Sequence, residues 1–562
     1  MSWRIFHIFA AVLFLFGGVS VHAQAPEDLK PVPEIAPDYR SDDRKFPELG
    51  RVGVDITRQR AMLLRDVVEM ALENNRDIEI TRKTNRAAEF DLRATDGFFQ
   101  PRLIGQAYYD RTRTPNVSIF STNRETTQGT FVGNATLQGY VPRYGTTLSG
   151  TLANQRLTTD NPISILSPQY NATLSFIVNQ PLLRGRKFDA NRRTIEIAKR
   201  NVELTDTQFR QRSIEVVAAV EKAYWDLTFA LRNLQVQRDA VRDAKQQLEH
   251  NRRLVAEGQL APIDIVAAET QVANFEQAVY DALNVVNLSE NALKNLISPN
   301  RNAAIWAEAI TPVQPVEIAT PAGSLENAVE TAIDNRPELE LNKTQLRINE
   351  LDKRLYRDQR KPQIDLNASY GTAGVGGSLN PNFQAPFPLP CTVDPTSPAC
   401  QQQQANLAAL TGNPYSGLLQ NKYPTFRVGV TFSLPLFGDK SADALYGKAL
   451  VEAERIETQR ELIEQGIQVE VRNAMQAIRT AEAKLRTAAI ARENSQRQYE
   501  SEQRKLDAGQ SDVYKVLERQ TALTAARSNE LRARIDLNKA IAEYRRATGT
   551  TLTANGVEAK LK

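Results

Sequence analysis

Histidine, cysteine and tryptophan are scarce in this sequence, which has three His, two Cys and three Trp among 562 residues. His7 and His22 lie near the N-terminus, and His250 is the only histidine in the rest of the chain. A metal site or catalytic triad built on histidine is therefore not expected. Most Asp and Glu residues lie in segments with a helical pattern, where we expect their side chains to be solvated. We expect no catalytic, cofactor-binding or metal-binding residue, and no enzymatic activity.

An excess of charge of one sign is also lacking. Lys and Arg number 70 against 66 Asp and Glu, which gives a net charge of +4. Nucleic-acid-binding domains usually carry a strongly basic surface, so nucleic acid is not an expected partner. The glycine-rich run at 371–377 follows a strand pattern and opens no helix, so it does not indicate a phosphate-binding loop.

Apart from the N-terminus, no apolar stretch approaches the length of a membrane-spanning helix. Arg4 precedes an apolar run from Ile5 to Phe16, and Val21-His22-Ala23 fits a small-residue cleavage site. We therefore predict a signal peptide over 1–23, with a membrane anchor as the alternative, followed by a Pro-rich segment over 24–57. Any membrane contact of the mature chain would then involve a β-barrel or a surface helix.

Both cysteines lie in one Pro/Gln/Asn-rich stretch, about 374–423, whose composition is typical of a solvent-facing loop. Export places Cys391 and Cys400 in an oxidising compartment, where paired cysteines form disulfides. Zinc would need further ligands, and none are nearby in the sequence. We predict a disulfide between Cys391 and Cys400.

Sequence segments recur with a period of about 255 residues. Leu64–Asn75 matches Leu325–Arg336, and Gly258-Gln259 matches Gly509-Gln510. A period of this length is too long for a solenoid and indicates two copies of one large motif. The predicted division is repeat 1 over 58–298, a linker over 299–323, repeat 2 over 324–550 and a C-terminal tail over 551–562.

Each copy predicts a helix followed by strands. The helices cover about 58–98 and 325–360, and a proline at 101 or 362 ends the helical pattern. The alternation that follows, within 101–180 and 362–434, gives segments with one apolar and one polar face. Such segments are typical of barrel strands with lipid outside and water inside, and a soluble sandwich is the alternative. Copy one contains an additional pair of alternating segments. The predicted number of barrel strands per chain is therefore either four or six.

Very long helices follow the strands in both copies. No proline interrupts 187–257 or 441–508, and about 70 residues at 1.5 Å rise make a rod of about 100 Å. Apolar residues spaced three and four apart along each rod predict coiled-coil packing, with an isolated fibrous coiled coil as the alternative. Each rod ends at a glycine, and shorter helices return over 263–296 and 513–548.

The order of these parts resembles that of the TolC family of outer-membrane efflux channels. The resemblance covers about 58–550 and rests on the Asn-Asn pair in the first helix, the proline-led strands, the motif Asn179–Gly185 and the glycine tips. It implies a mixed membrane protein with internal duplication. Three chains would share one transmembrane β-barrel in the outer membrane of a Gram-negative bacterium, and their long helices would form a coiled-coil tunnel in the periplasm.

Four to six strands are too few for a closed barrel, so the strand edges themselves predict association. The resemblance implies a homotrimer in outer-membrane lipid, a periplasmic adaptor (membrane fusion) protein and an inner-membrane transporter. The expected function is a passive exit duct for small molecules in a tripartite efflux system. Type I protein secretion through the same duct is the alternative, and a periplasmic structural coiled coil or adaptor is the alternative from another class.

In the family that it resembles, acidic residues soon after the tip glycines line or latch the closed periplasmic end. Asp264 fits this pattern, whereas Lys515 occupies the matching position of the second copy and Glu518 follows it. We hypothesise that Asp264 and Lys515 attract one another across neighbouring hairpins and favour closure. A solvated Lys515 without this role is the alternative.

The residues at the two tips are the predicted contacts of the adaptor protein. They are Gly258, Gln259, Gly509 and Gln510. For the two glycines, plain turn geometry is the other interpretation.

Overall fold

The computed structural model describes residues 50–116, 124–314, 323–385, 387–436 and 438–558. The predicted signal peptide over 1–23 lies outside the described residues. So do most of the Pro-rich segment and parts of the predicted linker and C-terminal tail.

Strands and helices alternate in groups along the described chain. The strands are β1 (Asp55–Met62), β2 (Arg102–Pro115), β3 (Glu125–Val141), β4 (Thr146–Thr159), β5 (Leu166–Pro181), β6 (Glu308–Pro312), β7 (Gln363–Leu379) and β8 (Tyr423–Ser433). The α-helices are α1 (Leu64–Asn74), α2 (Arg76–Asp96), α3 (Ala190–Ala256), α4 (Ile263–Ile297), α5 (Leu325–Asn335), α6 (Pro337–Gln359), α7 (Pro390–Val393), α8 (Pro398–Leu410), α9 (Pro414–Leu419), α10 (Lys440–Asp507), α11 (Val513–Ala547) and α12 (Thr551–Ala554).

Six strands form one antiparallel sheet in the order β2-β3-β4-β5-β7-β8. The extra pair of copy one, β3 and β4, lies inside this sheet, so the described chain contributes six strands to it rather than four. Register keeps the apolar residues aligned: Phe176 pairs with Tyr370, which pairs with Phe426. Because side chains alternate along a strand, this register gathers most of the apolar residues of the six strands on one face, with Ile104, Tyr108 and Ile177 among the exceptions.

The turn between β3 and β4 is fixed against the start of α3. The Tyr140 hydroxyl donates a hydrogen bond to the Asp189 carboxylate, which also caps α3 by accepting from the Arg192 N–H at 2.9 Å. Gly145 in the turn has φ +72°, and a Cβ there would lie 2.8 Å from the Gly185 carbonyl oxygen. Glycine is therefore required at this junction between sheet and helix.

The first helix does not start at Arg58 as predicted. Residues 55–62 form β1, which pairs in parallel with β6, and β6 lies within the predicted linker. The predicted linker therefore contains a strand over 308–312, which the sequence analysis did not predict. The error has a physical reason, because the two strands are about 250 residues apart in sequence and no local pattern reveals their pairing.

The predicted single helix is also divided at Asn75. The Asn75 side chain accepts hydrogen bonds from the N–H groups of Asp77 and Ile78 and so caps α2. Its amide donates to the Leu296 carbonyl at 2.9 Å, which ties the break to the end of α4. In the second half, Arg336 and the following proline separate α5 from α6.

The two longest helices, α3 and α10, contain 67 and 68 residues. At 1.5 Å per residue each is about 100 Å long. Helix α3 packs against α4 and α11, and α10 packs against α11 and α6. The apolar seams lie inside these contacts, with Val217, Val220 and Leu227 buried on α3 and Val471 and Ala474 buried on α10.

Helix α3 is also joined to the small β1–β6 sheet. The Tyr224 hydroxyl donates to the Met62 carbonyl and accepts from the Gln314 N–H, both at 3.0 Å. Tyr224 and Trp225 are buried and pack edge to face. The described part of the predicted C-terminal tail packs on the same helix. There the Asn555 amide bonds to buried Glu221, whose pKa is raised by burial.

A cluster of buried charges lies beside this small sheet. Glu290 and Lys294 on α4 are fully buried, and Arg51 makes an ion pair with Glu290. Glu290 also accepts from the Ile310 N–H at 2.7 Å, and Lys294 donates to the Trp306 carbonyl at 3.1 Å. Burial lowers the pKa of Lys294, although Glu290 opposes this shift. The cluster connects the N-terminal segment, α4 and β6.

Candidate functional site

The six-stranded sheet exposes a wide apolar face. Phe426 and Val428 on β8 are 83% and 68% exposed, and the same face continues across the sheet through Leu103, Phe176 and Tyr370. A contiguous exposed apolar surface of this kind marks contact with a membrane or another protein. Strands β2 and β8 are the two edges of the sheet, and their outer edges are unpaired within the described chain.

The opposite face of the sheet is mainly polar, although Ile104, Tyr108 and Ile177 also lie there. Asn367 on β7 donates to the Thr431 hydroxyl on β8 at 2.7 Å, and Arg427 lies on the same side. A sheet with one apolar and one polar face, and with two open edges, has the construction of a segment of a barrel wall around water.

The two glycine tips adopt the same turn. Gly258 and Gly509 have φ values of +77° and +67°, which glycine tolerates without strain. The N–H groups of Gln259 and Gln510 each donate back to the preceding helix at 2.8 Å, to Leu254 and to Lys505. All four predicted tip residues are exposed. The glycines therefore serve turn geometry, and adaptor contact at the tips remains a prediction.

The predicted gate residues lie in the first turns of the return helices. Asp264 on α4 accepts from the Ala261 N–H at 3.2 Å. On α11 the Lys515 ammonium lies 3.0 Å from the Asp512 carboxylate. Asp512 also caps the helix, accepting from the Lys515 N–H at 2.9 Å. Glu518 is exposed on the next turn of α11.

These contacts shift the pKa values of both groups at the second tip. The Lys515 N–H and then its ammonium lower the pKa of Asp512, and Asp512 raises the pKa of Lys515. Sequence reasoning missed Asp512, although Asp directly before a helical pattern is a common N-cap signal. Within one chain, the ammonium that was expected to attract Asp264 already has a partner.

The two hairpins of one chain are also joined near their tips. Leu260 from the first tip packs against a buried cluster of the second, formed by Leu506, Val513, Val516 and Leu517. His250 Nε2 lies 3.0 Å from an oxygen of Asp507 on α10. Sequence reasoning did not find these contacts, since each joins residues that are about 250 positions apart.

The two halves of the chain match one family model. The model of the outer membrane efflux protein family matches residues 67–298 and 328–550. The chain belongs to the outer membrane efflux protein family. The resemblance noted in the sequence is thereby confirmed.

Solved structures of membrane proteins share the fold of this efflux family member. A membrane protein from Pseudomonas aeruginosa is 18% identical, with a TM-score of 0.59 over 86% of this chain and 90% of that chain. The Campylobacter jejuni CmeC outer membrane channel is 15% identical, with a TM-score of 0.59 over 87% and 86% of the chains. The Neisseria gonorrhoeae MtrE outer membrane channel is 15% identical, with a TM-score of 0.57 over 87% and 89%. A comparison with curated protein sequences gave no significant match.

The described residues of this efflux protein contain no candidate membrane-spanning helix and no candidate metal site. None of the helices there combines the length and apolarity that crossing a membrane would require. Over the same residues, no group of three or more His, Cys, Asp and Glu side chains is arranged to hold a metal ion.

Proposed function

We propose that this protein is the outer-membrane channel of a tripartite efflux system, a passive exit duct for small molecules. One observation carries the proposal. A six-stranded sheet with an exposed apolar face and two open edges continues, in the same chain, into helical hairpins about 100 Å long. In this proposal the sheet lies in the outer membrane of a Gram-negative bacterium, and the hairpins extend into the periplasm.

The open edges support a trimer. Three copies of the six-stranded sheet would form a barrel of 18 strands, with β8 of each chain pairing with β2 of the next. A barrel of this strand number leaves an aqueous channel. The order of helices, strands and long hairpin occurs in both halves of the chain, which supports an origin by internal duplication.

The tips support the proposed assembly with other proteins. A passive duct needs an energised inner-membrane transporter, and the exposed residues Gly258, Gln259, Gly509 and Gln510 offer an adaptor protein a surface at the far end of the hairpins. In this proposal the partner proteins select the cargo. The same duct, with other partners, would serve type I protein secretion.

Single-channel recording tests this function directly. Purified full-length mature protein should run as a trimer and should give discrete conductance steps in planar lipid bilayers. Addition of a candidate adaptor should change the open probability. A freely soluble monomer that never inserts would contradict the proposal.

The proposed gate makes a more specific prediction. If Asp264 and Lys515 of neighbouring hairpins attract one another, alanine at either position should raise the open probability. The effect should stay within the roughly 1 kcal/mol of an exposed ion pair and should shrink in high salt. Asp512→Asn keeps a helix-capping side chain but frees the Lys515 ammonium from its partner within the chain, so it should lower the open probability.

A matched control is Lys484→Ala, which removes an exposed lysine far from the tips. The gate hypothesis is wrong if the Asp264, Lys515 and Asp512 variants all conduct like the wild type. Conductance by the wild-type trimer would still support the channel itself.

A further inference from the structure

The disulfide-bearing segment between β7 and β8 does not remain a free loop. Cys391 and Cys400 form a disulfide between α7 and α8, and the following helix α9 lies on the sheet against β7 and β5. Glycines on β7 allow the backbone at the start of α9 to lie close to the strand. A Cβ at Gly374 would overlap the Pro414 carbonyl oxygen, and a Cβ at Gly376 would overlap that of Gly412.

The contact identifies the face of the sheet on which α9 lies. Gly374 and Gly376 share a face of β7 with Leu366, Ala368 and Tyr370, because their positions differ by even numbers. Gly374 pairs with Ala172, which is buried on the neighbouring strand. Helix α9 therefore lies on the apolar face of the sheet, which is the lipid-facing side in the proposed barrel.

The level of α9 along the strand is also defined. A barrel strand crosses the hydrocarbon layer in about 9–11 residues. Counted from Ile364, the first apolar residue of β7, this crossing ends at Thr372 to Gly374. On β4 the apolar row changes at the same level from Leu152 to Asn154. Helix α9 thus begins where the apolar band ends.

The exposed side of α9 carries apolar and amphipathic groups. Leu419 is 90% exposed and Tyr415 is 46% exposed. The Tyr415 hydroxyl donates to the Asn154 side-chain oxygen at 2.8 Å, which fixes the ring beside the wall. Tyrosine is enriched at membrane interfaces, where its ring meets acyl chains and its hydroxyl meets polar groups.

We propose that α9 is an interfacial anchor: Leu419 and the Tyr415 ring insert at the headgroup level of the outer leaflet and fix the depth of the barrel in the membrane. The partner is lipid because the surface of α9 continues the apolar wall that is itself proposed to face lipid. This inference rests on the proposed barrel function. It assigns a membrane-contact role to a segment whose composition is typical of a solvent-facing loop.

Depth-dependent fluorescence quenching tests the anchor. The two natural cysteines are paired, so an added cysteine can be labelled with a small fluorophore. The labelled full-length variants are Leu419→Cys, Val428→Cys within the apolar band, and Ala408→Cys on exposed α8. Each is reconstituted into phosphatidylcholine vesicles with a nitroxide at the headgroup, with a nitroxide deep in the acyl chain, or with iodide in the water.

The label at 419 should be quenched mainly by the headgroup nitroxide, the label at 428 by the deep nitroxide, and the label at 408 by iodide alone. Quenching at 419 that matches 408 would overturn the anchor. Protection of 419 from all three quenchers would also overturn it, since a protein would then cover the site. If neither lipid nitroxide quenches the label at 428, the proposed barrel is wrong. The experiment thus distinguishes a wrong anchor from a wrong barrel.

A second variant tests the glycine surface beneath α9. Gly374→Val in the Leu419→Cys background should displace α9, and the label at 419 should lose its headgroup quenching while conductance persists. Gly429→Val is the matched control, because a Cβ at Gly429 meets no atom within 4 Å. Unchanged quenching in the Gly374 variant would contradict the docking of α9.

Discussion

Replacing Glu290 by alanine is expected to lower the free energy of unfolding by about 3–5 kcal/mol, because it leaves buried positive charges without their counterion. Arg51 and Lys294 both depend on this carboxylate, and both are buried. The substitution also removes the acceptor for the Ile310 N–H. An unpaired buried N–H adds to the destabilisation, since water cannot reach it.

A surface ion pair gives the matched control. Glu79 pairs with Lys83 at 2.8 Å and with Arg76, all on the exposed side of α2. Alanine at 79 should change the stability by less than about 1 kcal/mol. Urea unfolding in detergent, followed by far-ultraviolet circular dichroism at one protein concentration, compares the two variants. Equal midpoints for both would show that the buried cluster does not stabilise the fold.

Glu290→Gln separates charge from hydrogen bonding. The amide retains an acceptor for the Ile310 N–H but cannot neutralise Arg51 and Lys294. If charge dominates, this variant should unfold close to Glu290→Ala. A midpoint close to the wild type would show that the hydrogen bond to β6 is the main contribution of Glu290.

The contacts of the buried Glu290 cluster could not be predicted from the sequence. Arg51 is 239 residues from Glu290, Ile310 is 20 residues beyond Glu290, and each alone is typical of a surface or core position. Their meeting depends on the parallel pairing of β1 with β6. The residues of β1, Asp55–Met62, alternate too weakly in polarity to indicate a strand, and the strand forms because a partner is held beside it.

Periodic features, in contrast, were readable from the sequence. The alternation in β5, β7 and β8 gives each strand one apolar and one polar face, and the three- and four-residue spacing of Val217, Val220 and Tyr224 follows from one buried helix stripe. Both patterns repeat over many residues, so single exceptions do not hide them. Some features depend on a single contact, such as the cap at Asn75 or the glycine surface at Gly374. No repeated pattern reveals them in the sequence.

The same distinction applies to the tips. Gly258 and Gly509 stand out because a rod without proline ends at each of them. The pairing of Lys515 with Asp512 is a local capping contact that the sequence signals only weakly. The contacts between hairpins, such as His250 with Asp507, depend on how α3 and α10 lie side by side, which periodicity alone does not define.

The other large effect is expected from a charge at the middle of an edge strand on the apolar face. Val428 on β8 pairs with Ala368, which pairs with Val178, so all three lie on one row of that face. Arginine on the lipid side of a barrel near the bilayer midplane destabilises it by about 2–4 kcal/mol. Val428→Arg should therefore reduce the yield of folded trimer in vesicles. In a symmetric trimer, the substitution is present in all three chains.

Gly429→Arg, one residue along the same strand, is the control because its side chain would point to the polar face, where Arg427 already lies and where space is open. It should assemble like the wild type. The measurement is the fraction of dodecyl-sulfate-resistant trimer after refolding from urea into vesicles. Normal assembly of both variants would contradict a lipid-facing role for this surface. Failure of Gly429→Arg alone would place lipid on the other face of the sheet, because a charge is excluded only from the side that water cannot reach.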